Sequence, residues 1–232
     1  GRDVLAMTDE ELRRFRWREA AMVFQSAMNS LNPVMTIGDQ IVDIFTTHER
    51  MKKTHARKRA AELLDLVGID PARLRSYPHQ LSGGMRQRVV IAMAVALRPS
   101  LLIMDEPTTA LDVVVQQEIL AQIHDLQRQL GFSILFITHD ISLMVELSHR
   151  MGVMYGGRLV ELADSSVVFA RPRHPYTRSL ISAFPPMAGP RTVLTGVRYD
   201  GDSARIPDLR EVEPGHWVAE EPDGHVVEGA VR

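Results

Sequence analysis

A serine–glycine–glycine turn at residues 82–84 has the composition of an anion-binding site. Ser82 stands where a helix N-cap is expected, and Gly83 and Gly84 allow the backbone to approach a ligand closely. Residues 85–97 are predicted to form the helix that follows. Its first N–H groups and the positive end of its dipole would therefore face an anion such as phosphate.

A pair of acidic residues supplies the second half of a phosphoryl-transfer site. Asp105 and Glu106 follow a short apolar run at residues 101–104 that is typical of a buried strand. Open α/β sheets place their chemistry at the carboxyl ends of such strands. Two carboxylates at this position could hold a metal ion and activate a water molecule.

Several further elements are predicted to position these residues. Parallel strands are expected at residues 20–24 and 134–138, beside the strand that ends at Asp105. Thr8 and Glu11 have the spacing of a capping box, and Gly131 is a typical helix stop. Helices are predicted at residues 8–18, 37–47, 54–67, 113–130 and 141–148, and a hairpin at 152–162 turning at Gly156-Gly157.

The order of these motifs resembles an ATP-binding-cassette (ABC) ATPase. LSGGMRQ at 81–87 resembles the family's signature motif, LLIMDEP at 101–107 its Walker B strand, and TALD at 109–112 its D-loop. Gln25 in AMVFQ resembles the Q-loop, and His139 in FITHD resembles the switch histidine. Each motif alone is commonplace, but their occurrence in this order is far more specific.

The resemblance implies an α/β fold with a P-loop NTPase-like core, a helical subdomain at about residues 37–97 and a C-terminal extension. It also implies ATP and Mg²⁺ as ligands. Asp105 and Gln25 would hold the metal, and Glu106, His139 and Gln25 would act in catalysis. The resemblance assigns nucleotide binding to Ser82, Gly83, Gly84, Gln87 and Asp112. The signature residues would face a γ-phosphate held by the opposite subunit, and Asp112 would act across that dimer interface.

The family's P-loop, G-x-x-x-x-G-K-[ST], does not occur in these 232 residues. The three lysines, Lys52, Lys53 and Lys58, lie in one charged segment without a nearby glycine. The first four residues resemble the turn and helix that follow the P-loop in the family. We therefore expect the first strand, the P-loop and its helix to be absent through truncation rather than evolutionary loss, because the other motifs are intact.

The C-terminal part narrows the resemblance to oligopeptide/dipeptide importer ATPases. His174-Pro175-Tyr176-Thr177 and residues 207–217 resemble their C-terminal extension. A simpler interpretation of the first segment, a helix that begins at Pro175 and packs Tyr176 on the core, is compatible with this resemblance. We therefore expect a partial ATPase domain at 1–163 and an extension at 164–232, with a flexible segment at 189–202. Many relatives hold an iron–sulphur cluster on cysteines here, but this chain has no cysteine, so no cluster is expected.

The net charge and hydrophobicity of the chain bear on which classes of partner it could bind. A formal net charge of −2 gives no reason to expect a nucleic-acid partner, and no apolar stretch approaches the roughly 20 residues that span a bilayer. The resemblance implies a second ABC ATPase subunit, two membrane permease subunits and an extracytoplasmic solute-binding protein. The chain would then lie peripherally at the cytoplasmic face of the membrane. Two alternatives remain open here: a soluble ABC ATPase of DNA repair or translation, and an inactive fragment or scaffold.

Overall fold

The computed structural model describes residues 3–25, 30–108, 111–182 and 206–219. The chain divides into two compact units, with the boundary between Thr138 and His139. The predicted division between residues 163 and 164 stays a prediction. No helix among the described residues is both long enough and apolar enough to cross a membrane.

Three parallel strands form the sheet in the described part of the first unit, as predicted. They are β1 (Ala20–Val23), β2 (Leu101–Asp105) and β3 (Ser133–Ile137), with β2 in the centre. β1 and β3 each end one residue before the predicted position. Met104 of β2 lies opposite Val23, and Asp105 lies opposite Ile137. All three strands therefore end at one edge of the sheet.

The two faces of this sheet differ in burial. Val23, Leu102 and Met104 are fully buried on one face. On the other face, Met22, Ile103 and Leu135 are direct cross-strand neighbours, and Met22 and Leu135 are 38% and 51% exposed. An apolar row therefore faces solvent among the described residues of this sheet.

α-Helices accompany this sheet in the first unit. They are α1 (Asp9–Phe15), α2 (Ile37–Glu49), α3 (Lys53–Leu66), α4 (Gly83–Val95) and α5 (Val113–Leu130). The capping box of α1 is present, and Gly131 ends α5 in the left-handed conformation with φ 75°. Both predictions are confirmed. α1 ends earlier than predicted, because the backbone turns at Trp17 with φ 73°.

α4 begins two residues before its predicted start. Glycine disfavours helix interiors, so the sequence placed Gly83 and Gly84 outside the helix. The structure includes both in the first turn, because Ser82 acts as N-cap and its Oγ accepts a hydrogen bond from the Met85 N–H at 3.2 Å. α4 ends at Val95, before Arg98 turns the backbone with φ 51°.

The described part of the second unit is built on a four-stranded antiparallel sheet in the order β4-β5-β7-β6. β4 (Arg150–Tyr155) and β5 (Arg158–Asp164) form the predicted hairpin, with Gly156 and Gly157 both at positive φ. β6 (Arg210–Glu213) and β7 (His216–Val218) come from the predicted extension, and β7 pairs with β5. The extension thus completes a sheet that begins with the preceding hairpin.

Among residues 139–182 and 206–219, three helices accompany this sheet: α6 (Ile141–Leu147), α7 (Ser165–Ala170) and α8 (Pro175–Ser182). α8 begins at the predicted proline. Tyr176 packs against an apolar cluster that includes Val160 and Val168, and its ring centroid lies 4.4 Å from that of Tyr155. The segment 189–202, predicted to be flexible, lies outside the described residues.

A buried carboxylate joins the strands of the second unit to α8. Glu161 of β5 is 0% exposed and accepts hydrogen bonds from the backbone N–H groups of Arg173 and His174, at 2.8 and 2.9 Å. Its side chain also lies 2.8 Å from Nε2 of His216 at the start of β7. Three chain segments that are distant in sequence therefore meet at one side chain.

His174 is expected to make the second unit less stable in acid. Burial lowers the pKa of His174 below its ordinary value of 6.5; Glu161 opposes this shift and Arg178 adds to it. As the pH falls, the imidazole therefore takes up a proton in the unfolded chain before it does so in the folded chain. The contribution of neutral His174 to the free energy of unfolding is thus complete above pH 6.5 and is lost as the pH falls below this value.

Urea unfolding followed through Trp217, in a Trp17→Phe background, measures this pH dependence. His174→Asn is the control, since its side-chain oxygen can replace the Nδ1 atom that accepts the Tyr176 N–H at 3.2 Å. It also leaves Glu161, Arg178 and His216 in place. The variant should lose less stability on acidification than the parent. Equal losses in both proteins would contradict the prediction.

Candidate functional site

Gln25 and Glu106 meet at the edge where the parallel strands end. Gln25 lies two residues beyond β1, and Glu106 directly follows β2. The Nε2 atom of Gln25 donates a hydrogen bond to Oε2 of Glu106 at 2.7 Å, although the two residues are 81 positions apart. The strand register thus brings an amide and a carboxylate together, as expected for a site at strand ends.

The backbone at Glu106 is held in an unusual conformation. Its φ of 43° lies in the left-handed region, which costs a residue other than glycine about 1–3 kcal/mol. The Glu106 N–H donates to the carbonyl oxygen of Ile137, the last residue of β3, at 2.9 Å. This bond fixes the turn, so the carboxylate leaves the sheet in a defined direction. Asp105, still within β2, is half-buried beside it.

The start of α4 forms a second group of candidate residues. Ser82 is exposed, while Gly83 and Gly84 are half-buried in the first helical turn. This geometry leaves the positive end of the helix dipole at the Ser-Gly-Gly turn, where it favours an anion.

Asp112 occupies the equivalent position on α5. Its Oδ1 accepts a hydrogen bond from the Val115 N–H at 3.0 Å and caps the helix. Asp112 and the Ser-Gly-Gly turn line the same cavity of about 520 Å³. The cavity is lined by Gly68, Ile69, Ser82, Gly83, Gly84, Met85, Arg88, Leu111, Asp112, Val115 and Glu118. The structure therefore brings four of the predicted nucleotide-binding residues together.

The remaining predicted residues lie elsewhere. Gln25, Asp105 and Glu106 do not line this cavity. Gln87 is 2% exposed, and its Nε2 atom makes no hydrogen bond with the described residues. His139 follows β3 by two residues and is the first residue of the second unit. The first unit thus holds two separate groups, one at the strand ends and one at the starts of α4 and α5.

Comparison with known proteins adds two family matches. The model of the ABC transporter family matches residues 2–109, and the model of the oligopeptide/dipeptide transporter C-terminal region matches residues 160–208. The chain belongs to the ABC transporter family.

Two curated ABC relatives extend over much of the chain. It is 45% identical over 226 residues to the dipeptide transport ATP-binding protein DppD of Escherichia coli (strain K12), covering 97% of the chain and 65% of that protein. It is 48% identical over 187 residues to the oligopeptide transport ATP-binding protein OppD of Bacillus subtilis (strain 168), covering 80% of the chain and 52% of that protein. The chain therefore spans about half to two thirds of the length of these relatives.

Solved ABC cassettes share the fold. A dimeric post-hydrolysis state of the cassette MJ0796 bound to ADP and Pi matches with a TM-score of 0.60 and 30% identity, over 69% of this chain and 68% of that one. A second dimeric MJ0796 structure gives a TM-score of 0.61 and 29% identity, over 70% and 69% of the two chains. The ABC ATPase fold predicted from the sequence is confirmed.

Sequence reasoning did not assign the other seven residues that line the cavity beside the Ser-Gly-Gly turn, and three of these connect α4 with α5. Arg88, Val115 and Glu118 lie on the facing sides of α4 and α5. A signal for Arg88 was available, since it follows Gly84 by four residues and so shares its helix face. Nothing local in the sequence pairs α4 with α5, so Val115 and Glu118 could not be found in this way.

Proposed function

We propose that this chain provides the ATP-hydrolysing cassette of an ABC importer for oligopeptides, dipeptides or a related small solute. The observation that carries the proposal is the 2.7 Å contact between Gln25 and Glu106 at the strand ends, in a chain whose curated relatives include peptide transport ATP-binding proteins. The match of residues 160–208 to the peptide-transporter C-terminal model supports the substrate class.

Asp105 and Gln25 are suited to hold magnesium together with a nucleotide. Among the described residues, no group of three or more His, Cys, Asp or Glu side chains is placed to hold a metal ion. A metal at Asp105 would therefore complete its coordination with water and phosphate oxygens, which is how Mg²⁺ usually binds. When bound, Mg²⁺ neutralises charge that develops on the transferred phosphoryl group.

The proposed catalytic and nucleotide-binding residues of this chain act at two different sites. Glu106 accepts a proton from the attacking water or orients it, and Gln25 holds the Glu106 carboxylate in place. His139 bonds to the γ-phosphate. Ser82, Gly83 and Gly84 face a γ-phosphate bound by a second subunit, and Asp112 acts across the same interface. Gln87 of α4 belongs to the same nucleotide-binding group. Because the two groups of the first unit are separate, two such subunits would form two composite sites.

The partners follow from this arrangement. A second ABC ATPase subunit completes the pair, in keeping with the dimeric cassettes that share the fold. Two membrane permease subunits and an extracytoplasmic solute-binding protein would complete the importer, and no nucleic acid takes part. The cassette would act from the cytoplasmic face of the membrane.

A chimera with the E. coli dipeptide transport protein tests the proposed function. This chain replaces the aligned 65% of that protein, and the rest is retained. In a strain lacking the native protein, the chimera should restore uptake of a labelled dipeptide, and the purified chimera should hydrolyse Mg-ATP. Absence of hydrolysis in a folded chimera would contradict the ATPase role, and hydrolysis without uptake of any peptide tested would contradict the importer role.

The purified 232-residue chain should not hydrolyse ATP by itself. It contains no glycine-rich loop with a lysine to neutralise the β- and γ-phosphates, and Asp105 and Glu106 would repel them. Calorimetric titration with Mg-ATP, combined with a phosphate-release assay, measures this directly. Steady phosphate release from a preparation free of other ATPases, with micromolar binding, would show that these residues suffice.

A further inference from the structure

The starts of α4 and α5 touch at a position where a side chain would not fit. A Cβ atom added to Gly84 would lie 2.9 Å from Cγ1 of Val115. Valine is restricted at χ1, so rotation of its side chain does not readily relieve such a contact. Either Val115 or a whole helix would have to move. Gly84 is therefore required for the approach of these helices, in addition to any role toward phosphate.

An ion pair continues this contact one turn further along both helices. Nη2 of Arg88 lies 2.9 Å from Oε2 of Glu118, and the two side chains are 22% and 58% exposed. Residues three and four apart share a helix face, so Gly84 with Arg88 and Val115 with Glu118 form two facing rows. We call these four residues the α4–α5 seam.

The seam connects the two helix caps. Asp112 accepts the N–H of Val115, and the side chain of Val115 contacts the turn that contains Gly84. Ser82 caps that same turn through the N–H of Met85. A continuous series of contacts through Val115 and Gly84 therefore links Asp112 to Ser82.

We propose that the α4–α5 seam couples Asp112 to Ser82, and that Arg88 and Glu118 are positioning residues for the nucleotide site. The link to catalysis rests on the proposed function, since it takes the roles of Ser82 and Asp112 from there. An exposed or partly exposed ion pair typically contributes little to the free energy of folding. Loss of the Arg88–Glu118 pair should accordingly change the coupling between the helix caps more than the stability of the chain.

The first experiment uses the 232-residue chain in the absence of nucleotide. Asp112→Ala removes the cap of α5, and the response is the ¹H–¹⁵N shift of the Met85 amide. In the parent chain this shift should move. In Arg88→Glu, where the pair becomes repulsive, the same Asp112→Ala step should move it much less. Arg88→Glu combined with Glu118→Arg restores an opposite-charge pair and should restore the response.

A matched control breaks an ion pair elsewhere in the first unit. Arg57→Ala removes an exposed pair with Asp39, whose N···O distance is 3.6 Å, and should leave the response of Met85 to Asp112→Ala unchanged. The coupling is disproved if Asp112→Ala fails to move the Met85 shift in the parent. It is also disproved if the response is equal in the parent and Arg88→Glu.

The second experiment asks whether the coupling serves catalysis, using the dipeptide-transporter chimera. Arg88→Glu and Glu118→Arg should each lower kcat about threefold or more with little change in KM, and the double variant should recover most of the loss. Equal kcat in all variants would overturn the positioning role, even with coupling present. An inactive parent chimera would instead count against the proposed function and leave the result on Met85 intact.

Discussion

Glu106→Gln is expected to reduce ATP turnover by the chimera about 100-fold or more while ATP binding is retained. Glutamine keeps the shape of the side chain but cannot accept the proton of the attacking water. Its amide can present an oxygen to Nε2 of Gln25, which donates to Oε2 of Glu106 at 2.7 Å, so the local structure should persist. The variant should therefore lose kcat rather than substrate affinity.

Single-turnover hydrolysis and nucleotide binding measured on the same preparation separate these effects. Glu62→Gln is the matched control, since it makes the same chemical change at an exposed position of α3 and should retain parental turnover. Turnover of Glu106→Gln close to the parental value would show that another residue activates the water. Two subunits of the Glu106→Gln chimera would bind ATP without hydrolysing it. They should therefore form a stable closed dimer, which light scattering can detect.

The local elements of the first unit follow from sequence patterns, but the contacts between them do not. The apolar run at residues 101–104 predicted β2, and Thr8 with Glu11 predicted the capping box, because each signal lies within one element. The Gln25–Glu106 bond depends on strand register, and the left-handed turn at Glu106 depends on its bond to Ile137. Both features require the assembled sheet. The sequence motifs therefore identified Gln25 and Glu106 as site residues but did not predict how the two side chains are arranged.

The same distinction holds for Gly84. Sequence reasoning attributed this glycine to the close approach of a phosphate, which is a local property of the turn. The structure adds a second requirement, since Val115 of α5 occupies the space that a Cβ would need. That contact joins helices separated by β2, and no helical periodicity within either segment encodes it.

In the second unit, sequence patterns predicted local turns and a helix start but not the buried contacts between elements. The hairpin at Gly156-Gly157 was predicted from its turn residues, and α8 from Pro175. The burial of Glu161 was not predicted, because an isolated glutamate in a strand usually faces solvent. Its partners follow it by 12, 13 and 55 residues, so the hydrogen bonds to its carboxylate form only when β7 and the start of α8 have folded onto β5.

Glu161→Ala should therefore destabilise the second unit by about 2–5 kcal/mol, because each buried hydrogen-bond donor that loses its acceptor costs about 1–3 kcal/mol. Glu161 is 0% exposed and His216 is 3% exposed, so water cannot easily replace the lost carboxylate. The N–H groups of Arg173 and His174 also lose their acceptor, and buried donors left without a partner are destabilising. Glu161→Gln retains one oxygen acceptor and should lose less.

Urea unfolding followed through Trp217, again with Trp17→Phe, measures the change on β7 itself. Asp208→Ala is the control in the same unit, because its side chain is 99% exposed and lies 3.7 Å from Arg158, so the change should be within about 0.5 kcal/mol. A loss for Glu161→Ala as small as that of Asp208→Ala would mean that Glu161 does not hold β5, β7 and α8 together. A large loss would show that this carboxylate joins the extension to the hairpin, since no other side chain described here bonds to all three of Arg173, His174 and His216.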